Sequence, residues 1–114
     1  MQPTWETFEA GVTNGQSGSE DGIIIRDEIY ARRARITLES ETPIAPFAIT
    51  CGIFGWMVHT RYFGTRAQAD AEFAKMQKEL ARIANLLRSN SDDPQAEIPS
   101  NLPAEFRKFI KRFP

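Results

Sequence analysis

Cysteine and histidine are the side chains best suited to nucleophilic catalysis, and this chain holds one of each, Cys51 and His59. A Cys–His dyad works because a nearby imidazolium lowers the thiol pKa and the thiolate attacks. The strand register argued below puts the two on opposite faces of a sheet, so Cys51 is expected to be a small buried hydrophobe. One Cys and one His cannot build a structural zinc site, which wants four N or S ligands. No metal and no cofactor are therefore expected. His59 and Arg61 stand two apart, a spacing that puts both on one face of a strand. With Thr50 they could hold an anion, the guanidinium offering a bidentate donor. Met57 and Phe63 flank the pair. The candidate ligand site is thus Thr50, Met57, His59, Arg61 and Phe63, and no residue is assigned a catalytic role. Carboxylates for acid–base work are present but poorly placed. Asp27 and Glu28 are adjacent on a strand and face opposite ways, and Asp92–Asp93 sit in a polar linker. No Gly-rich phosphate loop or nucleophile elbow occurs.

These residues need a scaffold. The chain has 114 residues, 41% of them hydrophobic and 25% charged, the profile of one globular domain. Residues 10–22 are rich in Gly, Ser and Asn and poor in apolar groups, so 1–22 is expected to be a flexible segment. From Ile23 the pattern has a period of two. Ile23, Ile25 and Ile29 alternate, interrupted by Asp27; Ile36 and Leu38 alternate against Arg35, Thr37 and Glu39. Such alternation marks half-buried strands. A turn at 31–33 would set Ile29 opposite Ile36.

Residues 47–63 read as a hairpin. With Ile53–Phe54 at its tip, Cys51 faces Trp56, Ile49 faces Val58 and Phe47 faces Thr60. One face then carries Phe47, Ile49, Cys51, Trp56, Val58 and Tyr62. The other is mixed: Ala48, Thr50, Gly52, Met57, His59, Arg61 and Phe63. Tight two-residue tips favour Gly or Asn, so a longer loop is an alternative.

Thr65–Arg66–Ala67–Gln68 matches a capping box and opens a helix over about 66–88. Phe73, Met76, Leu80, Ile83 and Leu87 recur every three or four residues, one apolar stripe. A polar linker, 89–102, with Pro94 and Pro99 in it and Pro103 just after it, leads to a short amphipathic helix over 103–114. Phe106, Phe109, Ile110 and Phe113 form its apolar side; Arg107, Lys108, Lys111 and Arg112 form its basic side. A helix of three turns is marginal alone, so it must dock on the domain or on a second subunit.

The expected fold is α+β: an antiparallel meander of three to four strands, one long helix packed across one face, and a short C-terminal amphipathic helix, with 23–88 as the single domain. A helix–sheet unit completed only by dimerisation is the alternative. Residues 1–60 carry eight acids and four bases, 61–114 seven acids and ten bases, for a net charge of −1. That balance gives no strong nucleic-acid or membrane signal and opposes self-association little. The unpaired cysteine favours a reducing compartment, and no segment has the length or character of a signal peptide or membrane span. A cytoplasmic placement is expected. The leading functional expectation is a non-catalytic interaction module, a homo-oligomer or the binder of another protein. Its interface candidates are Trp5, Phe106, Phe109, Ile110 and Phe113. The alternative is a small-molecule anion binder or enzyme centred on His59 and Arg61.

Overall fold

Alternation of apolar and polar residues at a period of two becomes a five-stranded antiparallel meander in the computed structural model, which describes residues 3–91 and 102–114, with side chains described for 3–87 and 102–114. The strands are β1 (Trp5–Thr7), β2 (Ile23–Tyr30), β3 (Ala34–Ser40), β4 (Phe47–Ile53) and β5 (Met57–Phe63), hydrogen-bonded in that order. Two helices follow, α1 (Arg66–Ser91) and α2 (Leu102–Arg112). The α+β architecture is as expected, but the sheet has five strands rather than three to four. The missed strand is β1, whose three residues are too few to show a period. It is held by pairing with Glu28–Tyr30 and by Trp5 stacked at 5.3 Å on Tyr30. Most of the expected linker, 92–101, lies outside the described residues.

The β2–β3 turn sets Tyr30 opposite Ala34 and Glu28 opposite Ile36. This is one residue away from the expected pairing of Ile29 with Ile36. The cause is that Ala31 and Arg32 both take left-handed backbone, φ 51° and 57°, a tight geometry that their residue types do not advertise. Arg26, Glu28, Tyr30, Ala34, Ile36 and Leu38 therefore share the face that α1 covers, while Asp27, Ile29, Arg35, Thr37 and Glu39 share the other.

The β4–β5 tip shifts the register further. Its loop is Phe54–Gly55–Trp56, closed by the Trp56 N–H donating to the Ile53 carbonyl at 2.9 Å, with Gly55 left-handed at φ 82°. Ile53 pairs with Met57, Cys51 with His59 and Ile49 with Arg61. Compared with the expected pairing, β5 has moved by three residues, and an odd slip turns every side chain of the strand over. Met57, His59, Arg61 and Phe63 thus lie on the helix face with Phe47, Ile49 and Cys51. Val58, Thr60 and Tyr62 lie on the opposite face with Thr50, Gly52 and Ala48.

Helix α1 buries all five residues of its predicted stripe, Phe73, Met76, Leu80, Ile83 and Leu87. Thr65 Oγ1 accepts from the Gln68 N–H at 3.2 Å, the first half of the predicted capping box. Helix α2 docks on the body of its own chain, beside α1 and below β5, burying Leu102, Phe106, Phe109 and Phe113. Ile110 is 41% exposed and lies outside this contact. Arg82 links the helices by an ion pair to Glu105 at 2.5 Å.

Candidate functional site

The second face of the sheet has no helix over it. What covers part of it is the Gly- and Ser-rich segment expected to be flexible. After β1, Glu9 and Ala10 turn left-handed, and the chain runs back across the sheet as a strap. The Gly15 N–H donates to the Ile24 carbonyl at 2.7 Å, and the Ile24 N–H to the Gln16 carbonyl at 2.9 Å. The segment is anchored by polar bonds rather than by apolar burial, which composition does not register. The sheet presents two buried carboxylates, Asp27 at 1% exposure and Glu39 at 0%, and a buried carboxylate must be satisfied. Glu39 accepts from the main-chain N–H groups of Glu20 and Gly22, the latter at 3.0 Å. Asp27 accepts from the Thr13 hydroxyl at 2.8 Å, the Thr37 hydroxyl at 3.0 Å, and Arg35 Nε and Nη2 at 2.9 and 2.6 Å. Burial alone would push the Asp27 pKa up; the hydrogen bonds from Arg35, Thr13 and Thr37, with the charge of Arg35, outweigh it and hold the carboxyl below the usual range. The Tyr62 hydroxyl donates to the Glu20 carboxylate, so the strap spans to the far strand. That bond keeps the phenol protonated to higher pH than usual.

Between the strap and the β4–β5 tip lies an open groove of about 780 Å³. Thr37 and Thr50 form its floor beside Gly52, Thr13 and Ser17–Ser19 form one wall, and Phe54, Trp56 and Val58 form the other. Cross-strand pairing lines up Thr37, Thr50 and Thr60 in one row, with the Thr50 and Thr60 hydroxyls 3.2 Å apart. Arg35 stands at the groove side with its guanidinium 3.8 Å from the Phe8 ring. Its Nε and Nη2 serve Asp27, and its Nη1 makes no hydrogen bond among the described residues.

The five expected ligand residues are divided by this architecture. Thr50 is in the groove floor. Met57, His59, Arg61 and Phe63 are on the other face, where α2 docks. His59 Nε2 donates to the Phe113 carbonyl, and its ring meets Phe109 edge-on at 6.4 Å. Arg61 donates to Glu72 at 3.0 Å and to the Pro114 carbonyl at 3.2 Å. The anion-holding chemistry expected of the pair is thus turned inward, onto a carboxylate and two main-chain oxygens.

The same register brings Cys51 and His59 into direct cross-strand pairing, where opposite faces had been expected. Pairing alone does not activate the thiol. Burial pushes the Cys51 thiol up to about 12, against the opposing charge of Arg61. The imidazole Nε2 faces the Phe113 carbonyl and donates to it, which leaves Nδ1 as the acceptor of the ring. Among the interface candidates, Phe106, Phe109 and Phe113 are buried in their own chain and Trp5 packs on Tyr30. Among the described residues there is no cluster of metal-ligating side chains, no unsatisfied buried side-chain N or O atom, and no helix long and apolar enough to cross a membrane.

Thr13, Arg35, Thr37, Phe54 and Val58 were not among the site residues expected from the sequence. One signal for them existed. Asp27 breaks an isoleucine alternation, and a lone acid in a buried row implies donors folded over it. Compared with protein-family models, curated proteins and solved structures, the chain matches none.

Proposed function

We propose that the protein is a non-catalytic interaction module whose strap-face groove receives an extended segment of a partner polypeptide. One observation carries this reading: the reactive side chains are spent inside the fold, while the groove stays open and is lined by groups that bind without reacting. Cys51 and His59 are locked as described, and Asp27 and Glu39 are saturated with donors. The groove offers threonine hydroxyls on its floor and Phe54 and Val58 on its wall, both largely exposed. Hydrogen-bonding groups beside apolar contacts are what an extended chain requires. The lone buried thiol suits a reducing compartment, in keeping with a cytoplasmic placement.

A second reading, a small carboxylate or phosphate ligand in the same groove, is favoured by the Nη1 of Arg35. It moves the anion-binding role from His59 and Arg61 to the other face.

One experiment separates them. Peptides selected from a random display library on the full chain are measured by calorimetry against wild type, Thr50→Trp and Ile110→Ala. The first reading expects binding lost in Thr50→Trp, where the ring fills the floor, and kept in Ile110→Ala. Binding that survives Thr50→Trp would place the interaction elsewhere. Failure of every peptide, together with a rise in Tm in phosphate or citrate that Arg35→Gln abolishes, would replace the first reading with the second.

A further inference from the structure

A sheet has two edges, and this one treats them differently. The first is sealed. Strand β1 is three residues long and covers only Glu28–Tyr30, left-handed residues follow it, and the strap then pairs with Ile23 and Ile24 at the other end of β2 through Gly15, Gln16 and Ser17. The second edge is β5, seven residues long, regular, with no strand beside it among the described residues. Natural proteins blunt such edges with Pro, Lys, bulges, brevity or an inward-pointing charge. Strand β5 has only the last of these, and there the charge is matched within the chain. Its single formally charged residue, Arg61, points inward to Glu72, with 11% of its side chain exposed. Its groove-side residues are apolar or hydroxylic, with Val58 77% and Tyr62 40% exposed on either side of Thr60.

We infer that a second copy of this chain occupies the β5 edge, the two β5 strands pairing antiparallel about a twofold axis through Thr60. The pattern of the strand is complementary to itself in that register. Val58 falls opposite the partner's Tyr62, Tyr62 opposite the partner's Val58, and Thr60 opposite the partner's Thr60. A β-branched residue against an aromatic, and Thr against Thr, are favourable cross-strand pairs. The pleat admits only registers that keep like faces together, and of these the one centred on Thr60 alone uses all seven residues of both strands. The row formed by Thr37, Thr50 and Thr60 then continues without a break into the partner's row. A net charge of −1 opposes the encounter little. The sealed first edge also decides the stoichiometry. Each chain has one edge to offer, so pairing closes at a dimer of ten strands and does not propagate into a filament.

The axis through Thr60 makes the test specific. A side chain at 60 meets its own copy, so Thr60→Lys and Thr60→Glu each set like charges directly opposite, whereas a mixture of the two sets opposite charges together. Light scattering on the full chain, over a concentration series, is expected to show twice the 12.9 kDa chain mass for wild type. Each variant alone should show the single mass, and the equimolar mixture should return to the double mass. Wild type that stays monomeric across the series, a Thr60→Lys chain that still dimerises, or a mixture that stays monomeric would each overturn the proposal. Val58→Lys changes a side chain that is 77% exposed, so its fold is secure, and it should likewise lose the dimer. Hydrogen exchange supplies an independent readout. The outward amides of β5 should be protected when concentrated and lose protection on dilution; protection independent of concentration in a dimeric sample would overturn the pairing.

Discussion

At the scale of single residues, Asp27 shows how the sheet tolerates a buried charge. Its side chain is fully shielded, and Arg35 and Thr37 of β3 and Thr13 of the strap donate to it. Removing one partner of such a group costs more than the pair contributes, because the other is left unmatched. Asp27→Asn should cost about 2 kcal/mol at neutral pH, the open side of Arg35 moderating the loss. The pH dependence follows from the direction of the shift. A carboxyl held below its usual value stabilises the fold fully above its unfolded pKa of about 4, and that stability fades as pH falls through the lower folded value. Urea titrations of wild type and variant should therefore differ most near neutrality and converge in acid. A gap that widens as pH falls would contradict the assigned role. Asp27 was visible in the sequence as an interruption of an isoleucine pattern. Its donors were not, because Thr13 lies fourteen residues away in a segment whose composition suggests no structure.

Among the elements, α1 was the most legible and β5 the least, for a physical reason. A helix is defined by contacts three and four residues apart, so its stripe, its cap and its burial can be read from a local window. A strand is defined by a neighbour whose register depends on the intervening loop, and one loop residue more or less reverses its faces. The three-residue tip at Phe54–Trp56 therefore moved Met57, His59, Arg61 and Phe63 together from an expected open surface to the seat of α2. The strap makes a comparable demand on glycine. A Cβ at Gly22 would lie 2.5 Å from the Ser40 carbonyl oxygen, which is main chain and cannot yield. A Cβ at Gly18 would meet the Glu39 carboxylate, the end of a side chain, which gives way only by loosening its bonds to the Glu20 and Gly22 amides. Gly22→Ala should thus cost about 2 kcal/mol and Gly18→Ala about 1 kcal/mol, within the usual range for overpacking. Chemical denaturation gives both values, and equal costs would mean that Glu39 is as immovable as the backbone.

At the scale of the whole molecule, the sheet and both helices share one core. The core is a single cluster running from Tyr30 on β2 through β3 and β4 to α1 and α2. Two tryptophans sit at opposite ends of it, Trp5 on Tyr30 and Trp56 with its ring 5.7 Å from that of Phe106. Each can report alone once the other is replaced by Phe. If unfolding is all-or-none, as single domains of this size usually are, fluorescence of Trp5 and of Trp56 should change at the urea midpoint given by far-ultraviolet circular dichroism for the same variant. A Trp56 transition at lower urea than its own dichroism signal would show α2 leaving before the sheet melts.

The order of the strands also has a consequence for biosynthesis. Every pairing joins consecutive strands, and the three hairpins from β2 to β5 each close a short loop as they emerge, at small entropic cost. The meander can pair before α1, which follows it directly, has emerged from the ribosome. At roughly 5–20 residues per second, the 26 residues of α1 take about 1–5 s to synthesise. For that interval the nascent chain presents Ile36, Leu38 and Ile49 on an uncovered sheet. The ribosome-bound form, rather than the finished protein, is where a chaperone would find its target.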